Sequence, residues 1–354
     1  MKFITVFMSI FLLVGCVAKP QEEIHYNLPK TANKTALFIN EYLVADNGLI
    51  KTNLSDREND YLSESMGLWL CYLESSNQQK NFKLAVDALT AHMLLKNNLV
   101  SWQVKGEEQE KTNAFIDDAR IVGALVAANK RWGDNYYMDI AQKIMAANIK
   151  YTMNGDFFVD FASKERSKKA TTIMISYLMP QELTDFMEAG QLTSAKLAAN
   201  LAVLKKTPTD STGYFAKNYD VTNDNYHFSK NVHMVDQLLT AINIEQVKGN
   251  TTAFDKNIRL LIKRDGKLYG QYKRANNQAT VAYESPAVYG YALQYFHMKK
   301  EEEMVGKIHR KLRSLQQLQK KDKYYGGFID TTTKATHAFD NLLPLLTEGS
   351  YIDE

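Results

Sequence analysis

Four stretches place acidic side chains where apolar helices begin, and carboxyl groups so placed can act as general acid, general base or sugar clamp. The first is Tyr61-Leu62-Ser63-Glu64-Ser65-Met66-Gly67-Leu68-Trp69-Leu70-Cys71-Tyr72-Leu73. Ser63 suits the N-cap and Glu64 the first turn, with Met66, Leu70 and Leu73 on one helical face, widened by Trp69 and Tyr72. The second is Phe115-Ile116-Asp117-Asp118-Ala119-Arg120-Ile121. Both aspartates lie close to the stripe of Ile121, Leu125 and Ala128, where adjacent acids are costly to bury unless paired or working. The third is Asn231-Val232-His233-Met234-Val235-Asp236-Gln237-Leu238, with Asp236 one turn from His233. The fourth is Tyr283-Glu284-Ser285-Pro286-Ala287-Val288-Tyr289, which reads as a helix start with Ser285 at the N-cap and Pro286 at N1. Each has a structural reading beside the chemical one. Helix dipoles favour first-turn acids, Arg120 is a local partner for the aspartates, and His233 with Asp236 can be a core polar pair. Trp69, Trp102, Tyr283 and Tyr289 are the aromatic side chains expected to face substrate.

The elements around these stretches are helices. Apolar spacing predicts helices over 31–44, from 63, over 81–95, 112–132, 136–151, 180–188, 194–205, 231–248, 254–263, 286–298, 301–319 and 335–347. Pro is scarce, at 6 residues, and Gly modest, at 17, so breakers are few. The polar stretch 154–171 has little pattern, and 208–230 is a long loop rich in Asp, Asn, Thr and Tyr, a composition and length typical of functional loops. About a dozen helices in antiparallel pairs, without strand–helix alternation, predict an all-α domain, an α/α toroid rather than a simple bundle. A single domain is expected over 29–354.

The chain opens with Met1-Lys2 and an apolar run, Phe3 to Val14, too short for a permanent bilayer span. It ends in Leu13-Val14-Gly15-Cys16, which resembles the bacterial lipobox. That resemblance implies a signal peptide over 1–15, a lipidated Cys16 at the mature N-terminus, a leash to residue 28, and a protein outside the cytoplasm tethered to the cell membrane. The remaining cysteine, Cys71, falls in an apolar helix and reads as a small core residue. A net charge of +3 with interspersed signs gives no basis for nucleic-acid binding. There is no HExxH, cysteine cluster, phosphate-cradling glycine loop or G-x-S-x-G elbow, so neither a metal nor a cofactor is expected, and carboxylate chemistry is what remains. Outside cells, its commonest target is the glycosidic bond.

Taken in order, Ser63-Glu64-Ser65-Met66-Gly67, Leu99-Val100-Ser101-Trp102-Gln103-Val104, Asp117-Asp118-Ala119-Arg120-Ile121 with Ala124-Leu125, and Trp132-Gly133 resemble glycoside hydrolase family 8. The clear likeness covers about residues 60 to 135, and Tyr324-Tyr325-Gly326-Gly327-Phe328 is similar to the family's final segment. The family has an S-E-G-x-G-Y-G motif carrying the general acid, an L-x-x-W segment whose Trp stacks on sugar, and a T-D-x-D-x-D-I-A-x-A-L helix start with a substrate-binding Asp. The resemblance implies an (α/α)6 barrel and inverting hydrolysis of a polysaccharide, with Glu64 as acid, Trp102 as a sugar platform and Asp117 or Asp118 holding substrate. Ser65 replaces a motif glycine, Leu68-Trp69 replace Tyr-Gly, and the acidic cluster keeps two acids rather than three. No stretch matches the family's base motif well. Asp236 is the expected base, with Asp220 and Asp224 as alternatives.

Inversion requires the two working carboxyls roughly 6.5–9.5 Å apart. Glu64 must also remain protonated near neutrality, so burial beside Trp69 has to outweigh the helix N-terminus. The lipobox favours a cell-surface polysaccharide, a β-linked exopolysaccharide, as substrate, and the protein is expected to act as a monomer. The rival from another class is a non-catalytic glycan-binding lipoprotein on the same barrel.

Overall fold

The computed structural model describes residues 24–165 and 167–351, the last two by their backbone alone. Twelve α-helices are present among the described residues: α1 (Lys34–Phe38), α2 (Ser63–Ser75), α3 (Gln79–His92), α4 (Phe115–Trp132), α5 (Asn135–Tyr151), α6 (Pro180–Glu188), α7 (Ser194–Lys205), α8 (Met234–Gln246), α9 (Thr252–Asp265), α10 (Pro286–Met298), α11 (Glu302–Arg313) and α12 (Ala338–Tyr351). The even-numbered helices pack on one another: α2 on α4, α4 on α6, α8 on α10, α10 on α12, and α12 back on α2. A 3-10 turn, Ile175–Tyr177, packs on α8 beside α6. Odd-numbered helices cover the outside, with α3 on α2, α5 on α4, α7 on α6 and α11 on α10. A cavity of about 210 Å³ at the centre is lined by residues of all six inner helices, among them Leu68, Arg120, Glu182, Asn243, Tyr291 and Thr347.

Glycines inside two inner helices make room for polar side chains of their neighbours. A Cβ on Gly67 of α2 would stand 3.3 Å from Cδ of Arg120, and one on Gly123 of α4 would stand 3.1 Å from Cγ of Glu182. Helix-interior glycine costs about 1 kcal/mol relative to alanine. Here that cost is offset by seating an arginine and a glutamate in the bore.

The expectation of an all-α chain overlooked five small antiparallel sheets. They are β1 (Asp60–Leu62) with β2 (Gln103–Lys105) and β3 (Glu108–Gln109); β4 (Met153–Asn154) with β5 (Phe157–Phe158); β6 (Ala162–Ser163) with β7 (Lys168–Lys169); β8 (Thr172–Met174) with β9 (Asn218–Asp220) and β10 (Asn225–His227); and β11 (Asn231–His233) with β12 (Gln271–Lys273) and β13 (Gln278–Ala279). Strands of two or three residues carry too little alternation to be read from sequence. They occupy both stretches read as loop, 154–171 and 208–230, and two of them do structural work at helix starts. β1 runs directly into α2 and β11 into α8, so α8 begins at Met234 rather than 231.

The described chain is already docked at Ile24, whose N–H donates to the carbonyl of Asp46 (2.8 Å), and the Tyr26 hydroxyl donates to the carbonyl of Gly48 (2.6 Å). Tyr26 is buried with its ring edge-on to Trp69, so the folded domain reaches back into the segment read as leash. The expected signal peptide and Cys16 lie outside the described residues.

Candidate active site

Glu64 and Asp117 come together because β1–β2 pairing ties two helix starts to one edge. Leu62 lies opposite Gln103 in the ladder, and the Ser63 N–H donates to the carbonyl of Trp102 (3.1 Å). Ser63 is therefore the first helical residue rather than the cap; Leu62 takes the capping position with no side-chain bond. The freed hydroxyl of Ser63 instead donates to Oδ2 of Asp117 (2.7 Å), joining α2 to α4. On the other side Nη1 of Arg120 lies 3.4 Å from Oδ1 of Asp117.

Glu64 is half-buried. Burial raises its pKa to about 8, the charges of Asp117, Asp340 and Asp236 add to the rise, and Arg120 opposes it. Burial therefore outweighs the helix N-terminus, and the side chain is largely protonated at neutral pH. Asp117 is also pushed up by burial, against the pull of Arg120, the Ser63 hydroxyl and the Glu64 backbone N–H. Asp236, half-buried at the start of α8, is raised by burial, while His233 and Lys217 draw it down. His233 is exposed on β11 beside Gln271, so it acts on Asp236 through its charge and not as a buried partner. Inner-helix first turns thus bring Asp117, Asp236 and Asp340 within the field of Glu64, and the helix N-termini moderate the repulsion.

Asp340, in the first turn of α12, and Tyr177 were missed by sequence reasoning. Oδ1 of Asp340 accepts from the Ala287 N–H (3.0 Å) and from the Ser285 hydroxyl, so it caps α10 in place of the serine. The register could have revealed it: Asp117, Asp236 and Asp340 are each third residues of inner helices. Tyr177 is half-buried in the 3-10 turn, and its pKa is raised first by burial and then by Asp117, Asp160, Asp236 and Glu64. No sequence pattern marks it, because its place depends on the turn packing against α8.

A cleft of about 440 Å³ runs from Trp102 past Asn113, Asp160 and Phe161 to Tyr177. Trp102 is 37% exposed, which leaves its ring open to a ligand.

Three expected site residues take other roles. Trp69 is fully buried, stacked on Tyr72 with ring centroids 5.2 Å apart, and cannot touch a sugar. The apolar face on which it lies is the core face of α2. Tyr289 is likewise buried; its hydroxyl accepts from the Leu268 N–H (2.9 Å) and donates to Glu284, which also pairs with Lys311 at 3.0 Å. Asp118 is fully buried, and its Oδ2 accepts from Nδ2 of Asn113 and of Asn148, both at 2.8 Å. Burial raises Asp118 to about 8, so it is a neutral structural acid near pH 7, and of the two aspartates Asp117 faces Glu64. Tyr283 lies at the surface over Gly270. Asp220 and Asp224 sit at the β9–β10 turn, Asp220 accepting from the Thr222 N–H (2.9 Å) and Asp224 from the Tyr219 hydroxyl. The Cys71 thiol is pushed up to about 12 by burial, which makes it inert as a nucleophile.

The arrangement has the fold of family 8 glycosyl hydrolases. Endoglucanase Cel10 from Klebsiella pneumoniae, a family 8 glycosyl hydrolase, matches with a TM-score of 0.61 at 13% identity, over 88% of this chain and 97% of that one. Two further structures are more similar. A novel alpha-amylase from Clostridium perfringens matches with a TM-score of 0.82 at 27% identity, over 90% of this chain and 97% of that one. PssZ from Listeria monocytogenes matches with a TM-score of 0.74 at 26% identity, over 91% and 97%. No family model matches the chain. The chain belongs to the family of the Bacillus subtilis (strain 168) protein "Putative lipoprotein YdaJ", with 33% identity over 98% of this chain and 96% of that protein.

Proposed function

We propose that this protein is an inverting glycoside hydrolase, built as an (α/α)6 toroid, that cleaves an extracellular polysaccharide from a lipid anchor on Cys16. The observation that carries the reading is a protonated, half-buried Glu64 among three further carboxylic acids, next in sequence to Ser63, whose N–H is bonded to the carbonyl of the exposed, cleft-lining Trp102. Glu64 gives its proton to the glycosidic oxygen as the C1–O bond breaks. A water attacks C1 from the opposite face, and Asp236 takes its proton. Solvent then returns Glu64 to its acid form and Asp236 to its carboxylate. Asp117, oriented by Ser63 and Arg120, binds the sugar at the point of cleavage, and Trp102 stacks on a neighbouring ring. The lipobox-like Leu13-Val14-Gly15-Cys16 and the name of the Bacillus subtilis relative support the anchor.

Two linkage classes are to be tried. The likeness to endoglucanase folds favours a β-linked glycan. The higher similarity to the Clostridium perfringens alpha-amylase favours an α-linked glucan. The test is reducing-end release from β-glucan, starch and bacterial exopolysaccharide. On the substrate that is cut, Glu64→Gln is expected to lower the rate about a hundred- to ten-thousandfold, the usual worth of a general acid. Product anomers read by NMR test inversion. A Gln variant with unchanged rate removes Glu64 from the mechanism. Binding of glycan by both forms with cleavage by neither marks a receptor.

A further inference from the structure

Some basic side chains of the helical shell have acidic partners: Lys83 pairs with Asp87, Lys130 with Asp185 and Glu188, and Arg131 with Glu74. One groove gathers four lysines that have none among the described residues. Between the end of α3, the outer face of α5 and the β6–β7 hairpin, a depression of about 570 Å³ is lined by Lys96, Lys143, Lys150 and Lys164, with Asp139 as its single carboxylate. All four lysines are exposed, and among the described residues none lies within ion-pair distance of a carboxylate. Their local excess of three positive charges equals the net charge of the entire chain, +3. Such unpaired cations in one depression repel one another, a cost that a bound anion relieves. Tyr151 lies among them, with Nζ of Lys150 5.3 Å and Nζ of Lys164 5.7 Å from its ring centroid.

The groove adjoins the Trp102 cleft through one short hairpin. Phe161 and Lys168 line the cleft, Ala162 and Ser163 form β6, and Lys164 is already in the groove. The hairpin is tied to the cleft wall at Asn113: its Oδ1 accepts from the Ala162 N–H (2.8 Å), and its N–H donates to the Ala162 carbonyl (3.3 Å). A polymer leaving the cleft past Phe161 and Lys168 therefore meets the lysines after crossing one two-stranded ribbon.

We propose that this lysine groove is an accessory binding site for an anionic glycan, and that the polysaccharide cut in the cleft carries acidic substituents that it engages. The proposal rests on the hydrolase reading for the identity of the polymer, though not for the existence of the site. An aromatic ring flanked by ammonium groups suits an acidic sugar, whose ring presents an apolar face and whose carboxylate or phosphate projects at the rim. A concave groove with the tyrosine among its lining residues suits a polymer strand better than a flat lipid surface.

The experiment compares two soluble polymers on one β-1,4-glucan backbone, carboxymethylcellulose and hydroxyethylcellulose, by affinity electrophoresis of the full-length chain. The variant is the triple substitution Lys143→Gln, Lys150→Gln and Lys164→Gln, all at exposed positions, with circular dichroism to check folding. The wild type is expected to be retarded at least tenfold more by the charged polymer. The triple variant should lose most of that difference while binding the neutral polymer unchanged. Raising salt from about 50 to about 300 mM should weaken only the charged contact, since screening acts on exposed charges. Equal retardation by both polymers, or a triple variant indistinguishable from wild type, overturns the proposal. Loss of binding to phosphatidylglycerol vesicles in the triple variant, with carboxymethylcellulose binding intact, assigns the groove to a membrane and also overturns it. The readout is binding, so absence of hydrolysis on every glycan would defeat the hydrolase reading while leaving this outcome separately legible.

Discussion

Replacing Arg120 with methionine removes a buried cation while keeping most of the stem that packs beside Gly67. The Arg120 side chain is 7% exposed and lies 3.4 Å from Asp117, itself 8% exposed. At an effective dielectric constant near 20 that separation corresponds to about 5 kcal/mol of gross attraction. Desolvation offsets part of it, and breaking a buried pair from one side costs about 3–5 kcal/mol. Asp117 has an escape, because it can take a proton. Protonating a carboxyl with an ordinary pKa near 3.9 costs about 4 kcal/mol at pH 7 and about 1.5 kcal/mol at pH 5. Urea unfolding should therefore show Arg120→Met destabilised by about 4 kcal/mol at pH 7 and by less than half of that at pH 5. Lost packing alone would cost the same at both values. Equal losses at the two pH values refute the charge argument, and no loss at either refutes the ion pair as a stabilising contact. In the activity profile, removing the cation that opposes protonation of Glu64 should move the alkaline limb upward.

The other predictions concern protons and packing. With Glu64 in the proposed role of acid and raised to about 8 by burial, activity should fall as pH rises through that value. Its folded-state pKa, like that of Asp118 at about 8, lies above the unfolded value. The stability these groups contribute is therefore complete below the unfolded carboxyl pKa and is lost as pH rises through about 8. Urea midpoints should drop between pH 6 and pH 9, and Glu64→Gln should flatten part of that drop. Asp118→Leu leaves the donors of Asn113 and Asn148 without their acceptor, and should cost about 1–3 kcal/mol of stability while sparing kcat, whereas Asp118→Asn, which keeps a carbonyl oxygen there, should cost less. Trp69→Ala should cost about 3–5 kcal/mol in thermal unfolding through cavity formation. Trp102→Ala should leave the fold intact and raise KM; the opposite pattern for the two tryptophans would reverse their assignments.

The sequence by itself determined what is local. Glu64 sits at a helix start because Ser63-Glu64 precedes an apolar face, and Pro286 opens α10 because a residue without an N–H fits N1. Periodicity located most of the helices, with α6, α7 and α10 at their observed bounds. It also marked Glu64, Asp117 and Asp236 as acids at the heads of apolar helices. Tertiary structure decided which of these acids share one mouth. Asp117 faces Glu64 while Asp118, one residue on, is rotated about 100° into a shell of asparagines, a difference set by packing around α4. Trp69 and Trp102 are both tryptophans near Glu64, yet Trp69 lies on the core face of α2 and is buried, whereas Trp102 lies in the bend before β2 and is open. Asp340 and Tyr177 stand far from Glu64 along the chain and come into its field only when the inner helices close on one another, and the groove lysines gather only when the end of α3, α5 and the β6–β7 hairpin pack together. Local spacing holds no record of such long-range convergence, since it is fixed by the burial of all the helix faces together.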